Sequence, residues 1–498
     1  MKIALNRIKW IGTGFAVAMA AAAPAVADDT ELLLLNPDPS SNPKPNVMFI
    51  LDSSGSMGND VSTTDPYDET QVYGVGDCDA SKFYWTDVDV TPDCSTTNNV
   101  IDADAFVCEY AMRQINGIGA YTGTMVQYRD ADGDDNAYWQ TLAPGYPSSY
   151  VECQADSGDH GDGVDGTRLW ASSGVDLDNE WTNNPAQEVS WGSPPRNISY
   201  TVYSGNYLNW KNSPVTVPLS KTFIMKTVTK KVLSSVDNLN VGLMRFDGND
   251  GGTVILDITD LDANRQAVLD AVDAVPAGGN TPLSETLFES ALFWRGLPAR
   301  YGAASMTALT DQDALAVTTP PEVWEQPDWD VCAKNYNVLL SDGRPVEDFD
   351  PPGILTDLPG IAGVLGYTGC DGDVLPDGGQ CLDDIAEYLS KDDIDPNEPG
   401  DQLVTTHTIG FDIDLPILEE TAQNSGGQYF LANNVETLTK TLLSIIANIN
   451  DRSLSFSAPA VSVNTFNRTQ NLNDLYITMF GARGNAHWPG NLKKYRID

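Results

Sequence analysis

The chain has 498 residues, enough for one large core or two to three ordinary ones. Its 70 acidic against 28 basic side chains leave a formal net charge of −42, which excludes nucleic acid as a partner and disfavours adsorption to anionic lipid, because both need a basic footprint. The acids are spread over the whole chain, a pattern that reads as solubility in a saline habitat more than as local cation sites.

In chain order, residues 1–27 read as a bacterial secretory signal. Lys2, Arg7 and Lys9 form a basic start, Ile11 to Ala23 an apolar stretch short for a membrane span, and Ala25-Val26-Ala27 a small-residue cleavage pattern. The mature chain is expected to begin near Asp28, with no membrane span after signal removal. Export permits disulfides, and there are seven cysteines. Cys370 and Cys381 enclose a short Gly/Asp-rich loop and are the best pair. Cys78, Cys94, Cys108 and Cys153 lie in one region with three connectivities open, and Cys332 has no evident partner.

Residues 28–45 read as a linker, rich in Pro, Ser and Asn from Asn36. Asn46–Leu51 is then a continuous apolar run ending at Asp52, the pattern of a parallel strand buried on both faces. Leu239–Phe246, Asn337–Ser341 and Thr405–Phe411 have the same character, and Gln428–Ala432 reads as an edge strand. Helical patterns cover Leu219–Val236, Asp262–Val275 (after a hairpin-like TVILDIT), Thr281–Arg295, Leu415–Ser425 and Val435–Ile449. Strands alternating with helices predict an α/β fold, a doubly wound and mostly parallel sheet over 46–450. Ligands of such sheets bind beyond the carboxyl ends of the strands, where Asp52 and Asp342 both stand. Residues 59–214 interrupt the alternation. A structureless loop of that length does not suit a compact domain, so this stretch is expected to be a large loop-rich inserted subdomain with four cysteines and a core of aromatics such as Trp85, Trp139 and Trp181. Residues 451–498, with the alternating LYITMF, read as the start of a C-terminal β domain.

Asp52-Ser53-Ser54-Gly55-Ser56 has the spacing D-x-S-x-S. On a loop leaving a strand, these alternate side chains bring one carboxylate and two hydroxyls to a point. Thr281 in GGNTPL adds a hydroxyl from a loop that Gly278 and Gly279 let approach closely, and Asp342 in LLSDG adds a second carboxylate. Five hard oxygens with only two negative charges suit Mg²⁺ or Mn²⁺, with room for water and one outside acidic ligand. Each fragment alone is weak, whereas the ordered set of three is specific.

These pieces resemble the metal-ion-dependent adhesion site of von Willebrand factor A domains, which implies that Asp52, Ser54, Ser56, Thr281 and Asp342 hold the metal directly or through water. The flanks SGNYLNW, CAKNYNVLLSDG, LDDIAEYLSKDDI, THTIGF and SGGQYFLANNVETL, with the tail from APAVSVNTFNRTQ to WPGNLKKYRI, resemble the PilC/PilY proteins of type IV pili. The resemblance runs from about Asn46 to Asp498 and omits the insertion. It implies a pilus-tip adhesin or assembly factor, exported to the periplasm or outer surface of a Gram-negative bacterium. Its implied partners are minor pilins or other pilus components, or a host or abiotic surface ligand with an acidic group. Family members usually carry a C-terminal β-propeller with a calcium-dependent loop; this sequence stops at Asp498, at what would be the propeller's entrance, so the calcium switch is not assigned.

Ca²⁺ has weaker signals in the acidic segments 130–135, 156–165 and 371–377, which read better as solvated turns than as ion loops. A secreted A-domain protein unconnected to pili stays open, as does a metal-assisted hydrolase with Ser54 or Ser56 as nucleophile. The second lacks a base, because His160, His407 and His487 lie far apart and outside any catalytic motif. A binding protein is expected, not an enzyme.

Overall fold

The computed structural model describes residues 43–498 apart from 75, 88–89, 130–137, 157–169, 173–180, 192–197, 249, 302–310, 312, 320, 328–332, 350–354, 366–369, 371–377, 399, 454, 459–473, 482–489 and 497–498, with backbone elements alone after 450. The signal-like and linker residues up to 42, Cys332, and the acidic segments 130–135, 157–165 and 371–377 lie outside the described residues.

The central sheet has six strands: β1 (Asn46–Leu51), β2 (Asn240–Phe246), β3 (Gly252–Asp260), β4 (Asn335–Ser341), β5 (Val404–Phe411) and β6 (Tyr429–Ala432). Their order is β3-β2-β1-β4-β5-β6. Every neighbouring pair is parallel except β2 with β3. The order reverses direction at β1, whose two neighbours are β2 and β4. A crevice therefore opens between the carboxyl ends of β1 and β4, as doubly wound sheets require.

Six helices cover the sheet: α1 (Lys221–Ser235), α2 (Leu261–Ala274), α3 (Leu283–Trp294), α4 (Leu382–Lys391), α5 (Pro416–Asn424) and α6 (Val435–Ser453). Side chains alternate along a strand, and β1 sends Val47, Phe49 and Leu51 into one core and Met48 and Ile50 into the other. The first core is closed by α1, α2 and α6, the second by α3, α4 and α5. All six residues of β1 are buried, each apolar side chain stabilising by about 1.5–3 kcal/mol, so the run without polar alternation is explained by cover on both faces. Ser220 and Asp260 cap α1 and α2 through the N–H groups of Phe223 and Asp262. No described helix is long and apolar enough to cross a membrane.

Between β1 and α1 the chain leaves the sheet through a neck, in which Asp60–Thr64 pairs antiparallel with Thr216–Ser220. Beyond it the composition suggested mostly loop, yet the described residues carry an antiparallel sheet ordered Val100–Asp102, Lys82–Thr86, Ser199–Ser204, Ala120–Arg129, Tyr138–Gln140, with Val151–Cys153 also on Ala120–Arg129. Its strands are short and pair across long separations, so no local period announces them. Trp85, Trp139 and Trp181 are buried in its cores. Disulfides join Cys78 to Cys94, Cys108 to Cys153 and, in the main domain, Cys370 to Cys381. Of the three connectivities the sequence allows for the first four cysteines, this is the one that bridges neighbours in sequence. Ser455–Ala458, Asp474–Gly481 and Gly490–Arg496 form a three-stranded antiparallel sheet.

Helix α3 is buried along its whole length, polar residues included. Its Glu289 carboxylate accepts hydrogen bonds from Trp324 Nε1 at 2.7 Å and from the backbone N–H groups of Arg300 and Tyr301. Burial outweighs these bonds and pushes the Glu289 carboxyl up to about 7. A carboxyl raised in the fold holds its proton there at pH values where the unfolded chain has released it, so stability falls as pH rises from about 4.5 to 7. Glu289→Gln cannot ionise, and its stability relative to the parent is expected to improve by about 3 kcal/mol across that window. Chemical denaturation at pH 4.5 and 7.5 checks this, and a pH-independent gap between the two proteins would refute it.

Candidate metal centre

The loop leaving β1 turns sharply because its first side chain bonds its own backbone: Ser54 N donates to Asp52 Oδ1 at 2.7 Å. Asp52 Oδ2 then accepts from Ser341 Oγ at 2.7 Å and from Asp342 N at 3.2 Å, at the end of β4. One buried carboxylate thus ties the ends of two adjacent parallel strands. Burial, reinforced by the Asp342 charge, pushes Asp52 up to about 6.

The hydroxyls follow in a chain. Ser54 Oγ lies 2.9 Å from Ser56 Oγ, and Ser56 Oγ donates to Asp342 Oδ1 at 2.6 Å. Thr281 comes from the loop before α3, on the same side of Gly343: a Cβ built there would lie 3.3 Å from Thr281 Oγ1 and 3.4 Å from Ser56 Oγ. Gly278 N donates to Ser53 O, and Gly55 N to Gly279 O, lacing this loop to the first one. Gly279 has φ +94°, and a Cβ on it would meet Gly248 O at 2.1 Å. Thr281 reaches the others only because that position is glycine. All five residues named from the sequence therefore stand together at the β1/β4 crevice. Asp52, Ser54, Thr281 and Asp342 are buried, and Ser56 is half-buried.

This donor set fits a hard divalent ion. The oxygens are two carboxylates and three hydroxyls, and the buried Asp342 Oδ2 has no neutral donor on it, only the Lys221 ammonium 2.9 Å away. A bound ion would supply Lewis acidity towards an outside oxygen ligand. Ser54, Ser56, Thr281 and Asp342 would hold it, with Asp52 beneath them, fixing the loop and joining directly or through water.

Three further residues belong to the site. Ser341, one position before Asp342, orients Asp52 and could have been found from LLSDG. Lys221, the first residue of α1, stands 2.9 Å from Asp342 Oδ2 and 3.6 Å from Asp412 Oδ2. Neither Lys221 nor Asp412 sits in a motif, and only the tertiary fold brings them here. Among the described residues two other clusters have metal-like ligands: Cys108, Glu152, Cys153 and Asp156, and Cys370, Cys381 and Asp384. Their sulfurs are spent in disulfides. Buried His407 accepts from Gln428 N through Nδ1 and stacks on Tyr336, a structural role in β5.

No family model matches the chain, and no curated protein matches it. Solved structures similar to it include the conserved hypothetical protein BatB from Bacteroides thetaiotaomicron, at 11% identity over 46% of this chain and 89% of that one, TM-score 0.25. Another is proximal thread matrix protein 1 from the mussel byssus with a zinc-occupied MIDAS motif, at 10% identity over 45% and 40%, TM-score 0.24. A third is the VWA domain of SpRpn10, at 13% identity over 45% and 79%, TM-score 0.23. The strand order, with helices on both faces and a site at the β1/β4 ends, is that of a doubly wound, mostly parallel α/β fold.

The glycine requirement is testable. Gly279→Ala is expected to lower the unfolding free energy by about 1–3 kcal/mol and to weaken Mn²⁺ binding, because both the φ angle and the Gly248 carbonyl oppose a side chain. Gly58→Ala, where a Cβ meets nothing within 4 Å, serves as the control and is expected to be near neutral. Denaturant titration with Mn²⁺ calorimetry distinguishes them, and equal behaviour of the two variants would count against the account.

Proposed function

We propose that this chain is an exported, non-enzymatic binding protein of the type IV pilus, acting at the tip or in assembly. It recognises partners by a divalent ion that bridges Asp342 and its neighbouring hydroxyls to an acidic group. The observation that carries this reading is the convergence of two carboxylates and three hydroxyls from three separate loops on one crevice. Such a set offers at most five oxygens to an ion that takes six, so an outside carboxylate can complete the coordination. Mg²⁺ or Mn²⁺ suits the all-oxygen donors.

Export is supported by the signal-like start and by three disulfides, which persist in oxidising compartments. The pilus setting rests on the resemblance of the flanking segments to PilC/PilY proteins, and minor pilins are the partners it implies. A binding role is favoured over hydrolysis because Ser54 and Ser56 have each other and Asp342 as neighbours, while His407, the one histidine among the described residues, is enclosed in β5.

Calorimetric titration of the purified protein with Mg²⁺ and Mn²⁺ should show one site, abolished in the Asp52→Ala/Asp342→Ala double variant. Equal binding by both proteins would sink the metal centre. In the producing bacterium, loss of the gene should lower surface pili and adhesion, restored by the parent and not by the double variant. Unchanged pilus number and adhesion would remove the pilus assignment while leaving the metal centre standing.

A further inference from the structure

The crevice already contains a cation of the protein's own. Lys221 Nζ lies between two carboxylates, 2.9 Å from Asp342 Oδ2 and 3.6 Å from Asp412 Oδ2. Its side chain is only 11% exposed. The lysine is held by the same loop that supplies the hydroxyls: Lys221 N donates to Asn59 O at 3.0 Å, and Thr222 Oγ1 donates to Met57 O at 2.8 Å. With the backbone fixed there, the ammonium moves only on the arc of its own side chain.

Asp412 is placed with equal care. It follows the last residue of β5 with φ +60°, the left-handed conformation that an L-residue adopts at a cost, and its N–H donates to Ala432 O at 2.7 Å. Its carboxylate is 45% exposed, whereas that of Asp342 is enclosed. The ammonium thus has a buried acceptor on the metal side and a solvated one on the other.

A divalent ion and an ammonium cannot share Asp342 Oδ2, because two like charges at that separation repel strongly in a buried site. We propose that Lys221 is a tethered counter-ion that competes with the divalent ion for Asp342, and that Asp412 receives the ammonium when the ion binds. This rests on the metal-centre reading and extends it. In the metal-free protein Lys221 offsets the repulsion between Asp52 and Asp342. In the loaded protein it stays nearby as a positive charge, so the ion is held less tightly by the protein and favours an acidic partner more. Metal and partner then bind cooperatively by simple linkage.

Calorimetry with MnCl₂, paired with thermal unfolding, tests this on the purified parent, Lys221→Met, Lys221→Arg, Asp412→Asn and the Lys221→Met/Asp412→Asn pair. Lys221→Met should bind Mn²⁺ at least ~10-fold tighter, the scale of removing one unit charge beside a divalent ion. Its metal-free midpoint should fall, and the rise on adding Mn²⁺ should exceed that of the parent. Lys221→Arg should stay near the parent. Asp412→Asn should bind about 3–10-fold more weakly, an effect expected to vanish in the Lys221→Met background because Asp412 acts through the ammonium. Equal affinity of the parent and Lys221→Met would overturn the competition, and an Asp412→Asn loss of the same size in both backgrounds would overturn the receiving role. If the folded parent and Lys221→Met both fail to bind Mn²⁺, the metal-centre reading fails and the proposal with it. Should Lys221→Met not fold, Lys221→Gln, which keeps a hydrogen-bond donor without the charge, carries the same expectations.

Discussion

The carboxylate of Asp52 is the joint on which this site is built. It accepts from Ser54 N on its own loop and from Ser341 Oγ and Asp342 N at the end of the neighbouring strand. A buried carboxylate with these bonds satisfied fixes the relative position of two loops that would otherwise move independently, since each hydrogen bond to a charged acceptor is worth roughly twice a neutral one. The hydroxyls of Ser54 and Ser56 are aimed by that turn. Asp342 is aimed by the same contact from the other side.

The electrostatics of the crevice run against those of the molecule. A chain of net charge −42 keeps a nearly enclosed lysine beside two aspartates at the place where a divalent ion would bind. Burial of acids without a cation is expensive, as the upward push on Asp52 shows. The fold meets that cost locally, with an ammonium that is part of the chain.

The neck gives the arrangement its mechanical setting. The loop leaving β1 runs straight into the strand Asp60–Thr64, and the returning strand Thr216–Ser220 runs straight into Lys221. Ser220 pairs with Asp60 in register, so the two ends of the inserted module are also the two flanks of the candidate site. The aromatic group Tyr67, Tyr207 and Trp210 packs just beyond the neck, where the module begins. The module and the site are therefore joined by a few residues of paired strand.

Much of this was legible in the residues alone. Strands buried on both faces are rich in apolar residues and lack a polar alternation, so β1, β2, β4 and β5 could be read within a residue or two of their bounds, and the carboxyl-end rule placed Asp52 and Asp342 at the crevice. The five oxygen donors sat in motifs because a loop leaving a strand brings alternate side chains together by local geometry. What the sequence could not carry was anything set by contact across long separations. The antiparallel sheet of the insertion pairs residues far apart and has no local period. The cysteine pairing depended on which chains the fold brought close. Lys221 and Asp412 lie in ordinary segments, one at a helix start and one after a strand, and become site residues only because strand order β1-β4-β5 and the start of α1 bring them to one crevice. Local chemistry determined the oxygen donors of the candidate site, and tertiary packing decided which charge stands beside them.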